Sequence, residues 1–241
     1  MRLHRPAQLD PADAELMETL HSLDGATNYR DWILALAGRH LEGATRIVEL
    51  GAGHGTFTAQ LAAIAPTTAV EPGPRAFARL EERFGDHPRV DVVRGQADDL
   101  PEGQFDVAFL SNVLEHIEDD VDVLQQLTRV LRPGGRVIVF SPAFDLLYSR
   151  FDAMVGHYHR YRLPELRERF ARAGLEVVES RYVNLPGWFL WLVYVRLLGR
   201  VPTRPATALA FDRLVVPVLR RLERVIRPPF GQSVLCVGRR P

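Results

Sequence analysis

Four apolar-run residues, Ile47-Val48-Glu49-Leu50, end in three glycines at alternate positions, Gly51, Gly53 and Gly55, and helical spacing begins at Thr56-Phe57-Thr58. This is the pattern of a buried strand that turns sharply into a helix. Glycine lets a backbone turn tightly and approach a ligand that any Cβ would obstruct. The spacing G-x-G-x-G differs from the G-x-G-x-x-G loop that seats a pyrophosphate on a helix N-terminus. Two acids flank the loop: Glu49 in the strand end and Glu71 twenty positions after Gly51. Glu49 would repel an anion and suits a cationic ligand.

Short apolar runs alternate with helix-length segments over residues 45–142, the pattern of a doubly wound α/β sheet. Strands are expected at Arg46–Leu50, Thr68–Val70, Val90–Arg94, Phe105–Ser111 and Arg136–Phe140. Helices are expected near Phe57–Ile64, Pro74–Phe84 and Asp119–Val130, with Pro133-Gly134-Gly135 turning the chain into the fifth strand. Before the sheet, Asn28–His40 reads as a helix with Tyr29, Trp32, Ile33 and Leu36 on one face. After it come a helix at Pro164–Ala173, a strand at Leu175–Val183, an apolar run at Leu185–Leu198, a Pro-rich turn at Val201–Pro205, an Arg-rich helical run and a last strand at Ser233–Gly238.

Formal net charge is zero over 241 residues, which argues against generic nucleic-acid binding. The charges are unevenly placed: residues 1–157 carry 14 Arg and 24 Asp or Glu, and residues 158–241 carry 16 Arg and 6. The single cysteine, Cys236, leaves no intramolecular disulfide and no cysteine zinc site; no metal is expected. Met1–Pro6 has no apolar signal core, so a cytoplasmic protein is the expectation.

Taken together, four motifs in order resemble class I S-adenosylmethionine-dependent methyltransferases: Glu49–Gly55, the acid Glu71, Phe105-Asp106-Val107 and Leu131–Gly135. The resemblance implies a Rossmann-like sheet of seven strands, mostly parallel, the last antiparallel, with helices on both faces. One methyltransferase domain would span residues 1–241, with a helical lid (1–42), a cofactor-binding core (43–142) and a substrate-facing insertion with final strands (143–241). It also implies S-adenosyl-L-methionine as cofactor. Glu49 with Gly51, Ala52 and Gly53 would lie near its methionine part, and Glu71 with Pro72 near its ribose. Gln96, Ala97 and Asp98 would lie near the adenine, where either Gln96 or Asp98 makes the contact. Tyr29, Ser111, Asn112 and His116 complete the expected cofactor set.

His116 is a candidate base by its residue type; the alternative is a histidine that shapes the pocket. The run Gly156-His157-Tyr158-His159-Arg160-Tyr161 resembles the Gly-His-Tyr-(Arg/His)-Arg-Tyr signature of a bacterial methyltransferase subgroup. That resemblance puts His157, a second candidate catalytic residue, together with Tyr158, Arg160 and Tyr161 against the acceptor. The alternative is a hydrogen-bonded brace that ties a lid to the sheet. Trp32 is read as acceptor-contacting lid or as core.

Trp188–Leu198 is too short to span a bilayer. With the arginines that follow, from Arg200 and Arg204 to Arg227, it fits a core or acceptor pocket, a dimer contact or a helix at an anionic membrane surface. The expected function is methyl transfer to a small-molecule or lipid-like acceptor, in secondary metabolism or envelope polysaccharide synthesis, by a monomer or homodimer with no nucleic-acid partner. The alternatives are a methyltransferase fold that catalyses a non-methylating reaction such as cyclisation, or an RNA or peptide methyltransferase.

Overall fold

A computed structural model of the protein describes residues 26–199 and 205–241. The first 25 residues of the expected lid, most of the expected Val201–Pro205 turn, and Arg200 and Arg204 lie outside the described residues. In chain order the main elements are α1 (Thr27–Leu41), β1 (Ile47–Leu50), α2 (Thr58–Ile64), β2 (Thr67–Val70), α3 (Pro74–Phe84), β3 (Val90–Val93) and β4 (Phe105–Ser111). Next come α4 (Asp120–Val130), β5 (Leu131–Pro142), α5 (Arg150–Met154), α6 (Leu163–Arg172), β6 (Glu176–Val183) and α7 (Leu185–Leu190). A π-helical segment, Trp191–Leu197, leads on to α8 (Pro205–Leu214), α9 (Val216–Leu222) and β7 (Ser233–Arg239).

The strands form one seven-stranded sheet in the order β3-β2-β1-β4-β5-β7-β6. Every pair is parallel except those made by β7, which runs antiparallel between β5 and β6. β1 and β2 are buried at all four positions, because helices cover both faces and no side of the strand meets water. On one face Trp32, Ile33, Phe57, Leu61, Phe109, Phe140 and Val216 join α1, α2 and α9 to the sheet. On the other, Leu124, Leu127, Leu166 and Phe170 bring α4 and α6 onto Leu110, Val139 and Cys236.

The strand order reverses between β1 and β4, so their carboxyl ends open the crevice where ligands bind in sheets of this kind. Two expectations change in detail. The fifth strand begins at Leu131 rather than Arg136: Leu131 pairs with Phe105, the chain loops out through Pro133 and Gly134, and pairing resumes at Arg136 with Val107. The apolar run after residue 185 is a short α-helix that widens into π turns. No helix among the described residues is long and apolar enough to cross a membrane.

Candidate active site

The glycine loop leaves β1 and is held by Val70 O, which accepts the N–H groups of Gly51 and Ala52 at 2.9 and 3.0 Å. Gly55 has φ +91°, and a Cβ there would sit 2.2 Å from a Phe84 ring carbon. The third glycine therefore serves helix packing on α3. Gly53 faces open space on the side where a Cβ would point.

Glu71, at the end of β2, holds this cradle in shape. Its Oε2 accepts the Gly53 N–H and its Oε1 the Gly73 N–H, both at 2.8 Å. Each carboxylate oxygen has a lone pair left over. Pro72 is exposed beside it. Glu49 lies buried on β1, accepting the Thr58 hydroxyl at 2.6 Å. Burial outweighs that bond and pushes its carboxyl up to about 8. Glu49 is therefore not the standing negative charge its place in the sequence suggests; at neutral pH it is mostly protonated until a cation draws the proton off.

The remaining expected cofactor residues divide. Gln96 and Asp98 are exposed, while Ala97 is buried in the core. The Gln96 N–H donates to Asp99 Oδ2 at 2.8 Å in a capping box, so Asp99, which the sequence reading passed over, sets the shape of this turn. Ser111 Oγ is buried with no hydrogen-bond partner at the end of β4. Asn112 follows with φ +54°. Its exposed side chain is freed because the backbone N–H is spent on Phe140 O at 2.8 Å. Tyr29 lies apart from the loop: its ring packs against Trp32 and Phe140, and its hydroxyl faces Ser233 and Asn184. Burial pushes that phenol up to about 12.

A second cluster stands past β4 and β5. His157 Nδ1 lies 2.9 Å from Asp152 Oδ1, and Arg160 Nε donates to the same oxygen at 2.8 Å. Ser149 caps α5 and donates both its N–H and its hydroxyl to Asp152 Oδ2. Burial works against the Asp152 charge, but the bonds from His157 and Arg160 win and hold its carboxyl below the usual range. A carboxylate can only accept, so Nδ1 carries the proton and Nε2 is left facing Glu115 Oε1, 3.9 Å away.

Glu115 is fully buried. Its Oε2 accepts the Ser141 hydroxyl at 3.0 Å, and its Oε1 has no partner. Burial raises its carboxyl, opposed by His157 and Arg160. The His116 ring meets His157 edge-on at 4.6 Å between centroids. Loops packed round it and the adjacent His157 push His116 down to about 4, although water still reaches its side chain. Glu115, His116 and His157 offer ligand atoms within 4.8 Å of one another. That is wider than the about 3.4 Å between neighbours on a tetrahedral zinc ion, so the arrangement suits proton exchange better than chelation.

Three residues expected at the acceptor are corrected. Trp32 is 1% exposed inside the core under α1. Tyr161 is fully buried, its hydroxyl donating to Asp120 Oδ2 at 2.9 Å and Leu114 O at 3.1 Å. With His159 and Arg169 on the same Asp120 oxygen, Tyr161 braces the insertion to the start of α4. Arg160 is also buried, spent on Asp152 and on the Trp191 ring 4.8 Å away. Tyr158, half-buried, donates its N–H to Glu115 O at 2.8 Å. Of that segment, only His157 and Tyr158 keep partly open side chains next to the Glu115 cluster. Asp152 was the missed member; its signal was the Ser149-x-x-Asp152 capping spacing.

Residues 48–139 match the family profile described as a methyltransferase domain. Residues 48–139 thus carry a methyltransferase domain. It is 32% identical over 144 residues to an uncharacterised 37.1 kDa protein of transposon TN4556 from Streptomyces fradiae, covering 57% of this chain and 41% of that one. It is 28% identical over 181 residues to the ubiquinone/menaquinone biosynthesis C-methyltransferase of Desulfotalea psychrophila, covering 72% and 69%. Taken together, the chain spans about half the length of the curated relatives it matches. Phosphoethanolamine N-methyltransferase 2 of Haemonchus contortus, solved with S-adenosyl-L-methionine, superposes with a TM-score of 0.63 at 18% identity over 88% of this chain and 52% of that one. That likeness is one of fold.

Proposed function

We propose that this chain binds S-adenosylmethionine in the cradle and transfers its methyl group to a small or lipid-like acceptor. The observation that carries this reading is Glu71: a carboxylate pinned by two loop amides, with one lone pair left on each oxygen for a pair of vicinal hydroxyls. The unpartnered Ser111 hydroxyl and the open side of Gly53 fit a ligand lying over the ends of β1, β2 and β4. When bound, the cofactor supplies a methyl group on a sulfonium, an electrophile that needs positioning more than activation.

The protein's own share is binding, orientation and, for an acceptor that must lose a proton, a base. His157 takes that proton at Nε2. Asp152 is the positioning residue: it fixes the Nδ1–H tautomer and stabilises the imidazolium that forms. His116, held neutral, adds no competing positive charge beside it. The acceptor class rests on the mostly buried but still accessible His157–Tyr158 pair, on the apolar segment after β6, and on a relative named for quinone biosynthesis.

Calorimetry with S-adenosylhomocysteine tests the cofactor half. Glu71→Ala should weaken binding about tenfold or more, the loss of a hydrogen-bonded carboxylate being worth about 1.5–3 kcal/mol. Unchanged affinity would remove the ribose assignment.

A further inference from the structure

The segment after β6 divides its polar and apolar atoms in an unusual way. Residues 185–230 hold eight arginines and two acids. Both acids face inward. Asp212, 2% exposed, accepts the N–H groups of Asn28 and Tyr29 at the start of α1. Glu223, 4% exposed, accepts the N–H groups of Asn184 and Leu185. Among the described residues of this segment the exposed charges are therefore all positive: Arg196, Arg213, Arg221, Arg224 and Arg227.

Between them stand large apolar side chains. Leu190, Val193 and Leu197 follow one another at helical spacing and are each more than half exposed, as are Val218, Leu222 and Ile226 along and just beyond α9. Phe230, just past the second stripe, packs against Trp188 and Phe189, just before the first. Beside α9, a cavity of about 240 Å³ is lined by Asn28, Val216, Pro217, Arg220, Arg221 and Arg224, with no acid. Arg220 Nε is buried without a hydrogen-bond partner.

We infer that this face docks on an anionic lipid leaflet, with its leucines and valines among the acyl chains and a lipid phosphate among Arg220, Arg221 and Arg224. Exposed apolar patches of this size mark contact surfaces. A patch whose exposed charges, among the described residues of this segment, are all arginine complements an anionic membrane, whereas a second copy would oppose arginine to arginine. No described helix can span a bilayer, so the contact is interfacial. The face also lies at the site. β6 ends at the same sheet edge as β1 and β4, and Trp191 both donates to Leu147 O and covers Arg160. An acceptor with an apolar tail could pass from the leaflet to His157; that use of the face rests on the methyl-transfer reading.

The full chain should sediment with phosphatidylglycerol-containing vesicles and not with phosphatidylcholine alone, and high salt or added inorganic phosphate should release it. The double variant Arg221→Glu, Arg224→Glu, exposed at both positions, should bind anionic vesicles at least roughly tenfold more weakly while S-adenosylhomocysteine binding stays unchanged. Equal binding to neutral vesicles, or none at low salt, would overturn the inference. So would a concentration-dependent dimer that buries Leu197 and Leu222. Vesicle binding without S-adenosylhomocysteine binding would leave the docking face standing and remove the methyl-transfer reading.

Discussion

Glu49 pays for its place on β1 with its charge. The folded carboxyl titrates near 8 against 4.5 for the free group, so between those values the folded chain holds a proton that the unfolded chain has lost. Its contribution to stability is full below about 4.5 and is lost as pH rises through about 8. Glu49→Gln should flatten that part of the profile by roughly 3–5 kcal/mol, read from urea unfolding between about pH 4.5 and 8. The same proton should leave when a cationic ligand binds. S-adenosylmethionine affinity should then rise with pH up to about 8, with proton release seen by calorimetry in buffers of different ionisation heat. At the second cluster, His157→Gln should cut transfer to a hydroxyl acceptor about 10²-fold or more and leave cofactor affinity alone. Loss of both would mean that His157 shapes the pocket and moves no proton.

The elements are joined by a few buried polar residues that no periodicity announces. Asp212 caps α1 from α8, 184 residues away from Asn28. Asp212→Ala should cost about 1–2 kcal/mol and speed amide exchange across Thr27–Asp31, while β1 to β4 stay protected. Gly55→Ala drives a methyl into Phe84 and should cost about 1–3 kcal/mol as an overpacked contact, seen as a lower melting temperature. At this scale the sequence was informative where burial imposes a period: α3, β4 and α4 start and end within a residue of expectation. It was blind to partners distant in sequence. The resemblance of their segment puts Tyr161 and Arg160 against the acceptor, yet both are buried and serve as the brace that was the alternative. Asp120 and Asp152, which bury them, stand 41 and 8 residues away, and spacing cannot reveal such pairs. Trp32 was legible as an apolar-face residue but not as fully enclosed, since that depends on helices from the far end of the chain.

Over the whole molecule, the glycine loop and the acid after β2 were readable because backbone geometry dictates their residue types, and the first five strands were readable from the alternation. The acceptor side was not, because it is assembled from loops after β4, β5 and β6 whose contacts are side-chain specific. The strand order makes one demand on the chain. In the sheet β6 pairs with β7 alone, and β7 joins it to β5 through registers running from Pro142↔Ser233 to Arg136↔Arg239 and from Val183↔Ser233 to Glu176↔Arg239. A chain stopped at Gln232 should therefore melt without a cooperative transition, and restoring 233–241 as an added peptide should recover part of it. During synthesis, the half of the sheet built from β1 to β5 can form while translation continues. The base of the arginine-rich face cannot settle until residue 239 has cleared the ribosome, so the nascent chain would gain its hold on cofactor before its hold on lipid.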